Sequence, residues 1–312
     1  MTLPYFTEAD VRRLLPMTDA IAAMRRVFVE LAAGRAQNQP RRRLVLPTGS
    51  VLHSLAGAVG DYFGTKFYST HRLHGAHFFF MLYAAADARP LALMEANYLG
   101  QIRTGAASGF ATDLLASESA STLAVIGTGF QARSQLEAVL AVRPIRAVRV
   151  WSRDAERRAE FARECSESFG IKVEAVATAE EAVRGADVIA TATSAKDPVL
   201  ESNWVAPHAH VNGIGSNQPK RRELPPELIR RASLIAVDSI EQARLEAGDL
   251  ILALDEDGWR DPKLVELQTI SGDADRRAHS EPTVFKSLGL GVEEVAVAAL
   301  VYENGRKEGL GG

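Results

Sequence analysis

The 312-residue chain is 46% hydrophobic and 24% charged, which excludes a disordered chain and allows a core large enough for two domains. A formal charge of −3 shows no basic excess of the kind that binds nucleic acid phosphates, so a small-molecule partner is expected. The single cysteine, Cys165, excludes an intrachain disulfide and a thiolate metal cluster, and no leader-like start or membrane-length apolar run is visible; a cytoplasmic protein is expected, with no membrane partner.

Residues 7–33 carry apolar side chains at helical spacing, and two helices are expected there. Between residues 44 and 93 the texture changes to short apolar and aromatic runs, such as Phe78 to Leu82, broken by glycines and prolines. That pattern predicts strands without helical crossovers, and so an antiparallel sheet. After Ala116 strands and helices alternate. The apolar runs lie at 123–126, 147–151, 173–176, 188–192, 210–214 and 234–237, which predicts a mostly parallel sheet covered on both faces. Residues 292–302 read as an amphipathic helix beyond the last strand, returning to the first domain.

The run at 123–126 leads into Gly127-Thr128-Gly129-Phe130-Gln131-Ala132. After a strand and before a helix, this is the composition of a dinucleotide-binding turn. Gly127 supplies the tight turn, Gly129 the room for a pyrophosphate and Ala132 a small helix–sheet contact, while the helix N-terminus faces the phosphates. An NAD site usually closes the second strand with a carboxylate for the ribose 2′-hydroxyl. Here Ser152 stands in that place, followed by Arg153 and Arg157, guanidinium groups suited to a 2′-phosphate. NADP(H) is therefore expected to be preferred, with NAD(H) as the alternative.

Set beside Gly100-Gln101-Ile102-Arg103-Thr104-Gly105 and Phe285-Lys286-Ser287-Leu288-Gly289, the turn resembles the ornithine cyclodeaminase and mu-crystallin family over almost the whole chain. Gly64-Thr65-Lys66, Pro219-Lys220-Arg221-Arg222-Glu223-Leu224 and Glu246-Ala247-Gly248-Asp249 look like the family too. The resemblance implies an α/β protein, with a Rossmann-like NAD(P)-binding domain at 119–286 inserted in an α+β substrate and dimerisation domain made of 1–118 and 287–312. It implies a homodimer, and nicotinamide chemistry on the carbon–nitrogen bond of amino or imino acids. By the same resemblance Lys66 and Arg103 belong to the substrate site, with Leu288 beside them and Arg41 or Arg43 holding the substrate carboxylate. Alternation along a strand would put Arg41 and Arg43 on one face and Arg42 on the other. Gln131, Ser152, Thr193, Gly215 and Ser287 carry over to the dinucleotide pocket, and Thr193 independently fits the carboxyl end of a strand, where such sheets bind ligands.

One position departs from the cyclodeaminases, which carry an aspartate where this chain has Asn217. Asparagine is neutral and takes no proton at ordinary pH, so an acid or base role there is lost. The expectation is an NADP(H)-dependent reductase of α-imino acids or cyclic ketimines, reversible as an amino acid dehydrogenase, with Asn217 near the reacting groups. A cyclodeaminase releasing ammonia with internally recycled cofactor and a non-enzymatic NADPH-binding protein are the alternatives. His71, His74 and His77 do not share one strand face, and no metal site is expected.

Overall fold

The computed structural model describes residues 3–270 and 280–310. The chain forms two compact units, Met1–Arg103 with Gly289–Gly312, and Thr104–Leu288. The first division falls inside a continuous helix rather than at the expected 118/119, and the second falls at 288/289 rather than at 286/287.

In the first unit β1 (Tyr5–Phe6) is followed by α1 (Glu8–Leu14) and α2 (Met17–Ala32). The start of α1 is fixed by a capping box, Thr7 accepting from the Asp10 N–H and Asp10 accepting from that of Thr7. Met17, Ala20, Ile21, Met24, Val27 and Phe28 form the buried stripe of α2. Then come β2 (Ala36–Val45), β3 (Val51–Val59), β4 (Tyr62–His71), β5 (Gly75–Ala84) and β6 (Pro90–Glu95), before α3 (Asn97–Leu115). The sheet order is β1-β6-β5-β4-β3-β2, antiparallel except for the short β1–β6 pair.

Sheet pairing begins eight residues earlier than the apolar runs indicated, because β2 opens with the polar run Ala36-Gln37-Asn38-Gln39-Pro40. As an edge strand it tolerates both polar side chains and a proline.

The C-terminal helix Gly291–Lys307 packs on α2 and across β2 to β5. It is not the single-stripe amphipathic helix expected. Gly291, Val292, Glu293, Glu294 and Val295 are all buried in succession, so its first turn is enclosed on every side. Gly57 of β3 and Gly291 make this approach possible. A Cβ at Gly57 would run into the Val292 backbone, and one at Gly291 into the Ala56 backbone.

The second unit alternates β7 (Thr122–Ile126), α4 (Phe130–Val142), β8 (Ala147–Trp151), α5 (Ala155–Phe169), β9 (Val173–Ala175), α6 (Ala179–Val183), β10 (Val188–Thr191), β11 (His210–Gly213), β12 (Leu234–Val237), β13 (Leu264–Glu266) and β14 (Thr283–Lys286). All pairs are parallel, in the order β13-β12-β14-β11-β10-β7-β8-β9. Every residue of β10, β11, β12 and β14 is buried, as expected when helices cover both faces. The strand order reverses between β7 and β10, so the loops leaving them diverge and open a crevice at the carboxyl ends of the strands. β14, only four residues long, is not among the strands expected from the apolar runs.

Candidate active site

A buried cluster of charge occupies the first unit. Lys66 lies on the inner face of β4 in a row formed by cross-strand register, Leu55 opposite it on β3, Phe80 on β5 and Met94 beyond on β6. Those three neighbours are apolar and buried, and Lys66 itself is 5% exposed. Its Nζ donates to Glu294 Oε1 at 3.0 Å and stands 5.3 Å from the centroid of the Phe78 ring. A Cβ at Gly100 would collide with that ammonium, which explains a glycine in the first turns of α3.

Arg103, from α3, donates through Nε (3.0 Å) and Nη2 (2.7 Å) to the same Glu294 Oε1, and its Nη1 lies 3.4 Å from Glu293 Oε2. Glu293 and Glu294 are not among the residues expected from the sequence. The nearest signal was an acidic pair in the first turn of an otherwise apolar helix, which reads equally well as ordinary compensation of the helix dipole.

Arg41 and Arg43 separate. The ladder between β2 and β3 shifts register between Gln39 and Arg42, a bulge that breaks the expected alternation. Arg41 is buried, with Nη2 at 3.5 Å from the Gly289 carbonyl, whereas Arg43 is exposed. Of the two, Arg41 joins the cluster, and its charge helps to depress the pKa of Lys66.

Burial is the largest influence on Lys66, and with Arg103 and Arg41 it lowers the ammonium pKa despite the opposing pull of Glu294. Burial by itself would raise the pKa of Glu294, but Arg103 and Lys66 outweigh it and hold the carboxyl below its ordinary value. His53, stacked on Tyr68, is pushed down to about 4 by burial and by Arg43 and Arg41, and so contributes no charge at neutral pH. Formally, Arg41, Lys66 and Arg103 face Glu293 and Glu294. With Lys66 protonated, three cations against two carboxylates give the cluster a net positive charge in a dry setting, where an anion would be bound strongly.

The second unit carries the crevice, of about 1810 Å³. Gly127, Thr128, Gly129, Phe130, Gln131, Ser152, Arg153, Arg157, Thr193 and Gly215 line it, whereas Ala132, Ser287 and Asn217 do not. Gly127 has φ +110, a conformation open to glycine, and its N–H donates to the Trp151 carbonyl at 2.8 Å. Nothing stands within 4 Å of the place a Cβ would take on Gly129.

α4 starts there with no side-chain cap, while α5 and α6 in the same sheet are capped by Asp154 and Thr178. The N-terminus of α4, without a side-chain cap, thus opens its positive dipole end on the crevice, and a pyrophosphate suits this cradle. Ser152 closes β8, its Oγ 3.1 Å from Thr128 Oγ1. The nearby carboxylate of Asp154 is committed to the N–H groups of Glu156 and Arg157.

Thr193 sits just past β10 as expected, but its Oγ1 accepts from the Ala195 N–H at 3.1 Å, so it shapes a turn. Ala132 is buried against the sheet. Ser287 and Leu288 are buried and tied to Asp238, the Leu288 N–H donating to Asp238 Oδ2. In this unit Leu288 is therefore held by its own backbone. Among the described residues there is no group of histidine, cysteine or carboxylate side chains placed to hold a metal ion, and no helix long and apolar enough to cross a membrane.

Comparison with known proteins places this geometry. The chain is 42% identical over 234 residues to a Delta(1)-pyrroline-2-carboxylate reductase of Bacillus cereus, covering 74% of this chain and 72% of that one. Among solved structures it superposes on Thermococcus litoralis Delta(1)-pyrroline-2-carboxylate reductase in complex with NADH and L-proline, with a TM-score of 0.93, 30% identity and 99% of each chain covered. An archaeal alanine dehydrogenase dimer with bound NAD matches with a TM-score of 0.92 and 32% identity, over 100% of this chain and 98% of that one. The model of the ornithine cyclodeaminase/mu-crystallin family matches residues 5–309, and the chain belongs to that family.

Proposed function

We propose that the protein is an NADP(H)-dependent oxidoreductase that reduces the C=N bond of α-imino acids or cyclic ketimines and runs in reverse as an amino acid dehydrogenase. The observation that carries this reading is the buried amino group of Lys66, paired with Glu294 and accompanied by Arg103 and Arg41. Such a site suits a small substrate bearing one carboxylate beside a basic nitrogen. The guanidinium of Arg41 holds the carboxylate, Arg103 with Glu293 and Glu294 forms the frame, and Lys66 gives its proton to the imine nitrogen. The bound dinucleotide supplies the hydride to the α-carbon. Asn217, neutral where an aspartate would be a base, favours reduction over ornithine cyclisation.

The crevice residues favour the 2′-phosphate form. Ser152 leaves room beside the ribose, Asp154 is occupied as a cap, and Arg153 and Arg157 are exposed along the lining. In the first unit Leu44 of β2 and its cross-strand partner Leu52 of β3 are exposed side by side, an apolar surface suited to self-association as a homodimer. A lone cysteine without an intrachain partner cysteine suits a reducing, cytoplasmic setting.

Fluorescence titration is expected to give NADPH a dissociation constant about tenfold or more below that of NADH, the gap expected from one or two charge-assisted contacts. Arg153→Ala with Arg157→Ala should close that gap by weakening NADPH alone. Equal affinities in the wild type would remove the NADP assignment. Dinucleotide oxidation should then appear with a cyclic ketimine carboxylate or with pyruvate plus an amine. Ammonia release from ornithine without net cofactor change would instead identify a cyclodeaminase, and binding with no turnover a non-enzymatic role.

A further inference from the structure

Three segments singled out in the sequence have no part in the chemistry above, yet they meet. Glu223, Asp249 and Lys286 are each fully buried in the second unit. Lys286 Nζ pairs with Asp249 Oδ2 at 3.0 Å and donates to the carbonyls of Gly213 (3.2 Å) and Ser216 (2.7 Å). Asp249 Oδ1 accepts from the backbone N–H groups of Glu223 (2.6 Å) and Leu224 (2.9 Å). The Glu223 carboxylate then accepts from the Thr193 N–H at 2.6 Å through Oε1, and from the Gly215 N–H at 2.5 Å and Thr191 Oγ1 at 3.1 Å through Oε2.

The loop after β11 is therefore gripped from two sides, its Gly215 N–H by a carboxylate and the carbonyls flanking it by an ammonium. The same carboxylate ties that loop to the loop after β10. Thr193 and Gly215, the two residues joined, both line the crevice. None of the three charged side chains lines it. A surface turn needs no such arrangement, and burying three charged side chains to hold two strand-end loops is costly unless the position of those loops matters.

The geometry points to Glu223 as a positioning residue, locked by Asp249 and Lys286, that sets the spacing of the two strand-end loops and so the placement of the nicotinamide half of the dinucleotide. This rests on the functional reading above. Glutamine at this place has one acceptor oxygen and turns an NH₂ group toward one of the two N–H donors, so the loops part.

The test compares Glu223→Gln with wild type in four measurements. Expected are a fall in kcat of about 100-fold, as for an ångström of misplacement, with the imine KM changed less than about twofold. The fluorescence of bound reduced nicotinamide should weaken. Hydride transfer from NADPH deuterated at one C4 face should lose its strict selectivity. The affinity for the adenine fragment alone, adenosine 2′,5′-bisphosphate or ADP, should stay unchanged. Thr191→Val, which removes one donor to Glu223 within a strand, should move the same readouts in the same direction by less, and it decides the matter if Glu223→Gln does not fold. A lowered melting temperature with kcat, face selectivity and nicotinamide fluorescence intact would overturn the assignment, as would equal weakening of fragment and whole cofactor. Should the wild type bind dinucleotide but turn over no imine, the functional reading fails, while the fluorescence comparison still judges Glu223.

Discussion

Lys66→Ala is expected to lower kcat for imine reduction by about 10²- to 10⁴-fold, the usual worth of a positioned general acid, while dinucleotide affinity changes by less than about twofold. Full turnover by the variant with every active substrate would end the proposed mechanism. The pH dependence gives a second handle. Burial, with Arg103 and Arg41, lowers the Lys66 pKa from the ordinary lysine value of 10.5. Reduction needs the ammonium, so its rate should fall as pH rises through the lowered pKa. Amine oxidation needs the free amine, so its rate should rise through the same pKa. Lys66→Arg, which stays charged throughout, should lose the alkaline fall in any residual reduction activity. Stability follows with its own sign. Between the folded pKa and 10.5 the unfolded chain binds the extra proton, so folding stability should increase with pH across that window.

The features of this site differ in how far they can be read from the chain. The turn at Gly127 and the alternation of strands and helices are local patterns, and both appear where periodicity put them. The role of Lys66 rests on the resemblance, because its burial depends on a row running across four strands. No stretch of sequence contains that row. Arg41 and Arg43 show the limit of strict alternation. One bulge in β2 sends the first inward and leaves the second in solvent, and polar edge strands carry few residues that announce a bulge. Glu223, Asp249 and Lys286 each lie in a recognisable segment, but their common function exists only where three connections converge on one loop.

Glu294 is the other residue on which the charged cluster should fail. Its Oε1 receives Lys66 and two nitrogens of Arg103, so one oxygen joins two cations that would otherwise repel in a buried site. Glu294→Ala removes a partner from a buried ion pair and is expected to cost about 3–5 kcal/mol of stability, read from denaturant unfolding. Glu294→Gln keeps the volume and removes the charge, and there the effect on Lys66 is the informative one. Glu294 is the influence that raises the Lys66 pKa against burial, so its neutralisation should move the alkaline fall in reduction to still lower pH. The net positive charge of the cluster also grows by one. A small carboxylate ligand of the proposed amino-acid class should then raise the melting temperature of Glu294→Gln more than that of the wild type, because it supplies the missing negative charge in the folded state alone. An unchanged pH profile together with an equal ligand-induced rise in both proteins would make Glu294 a bystander and leave Lys66 tuned by burial and the two arginines.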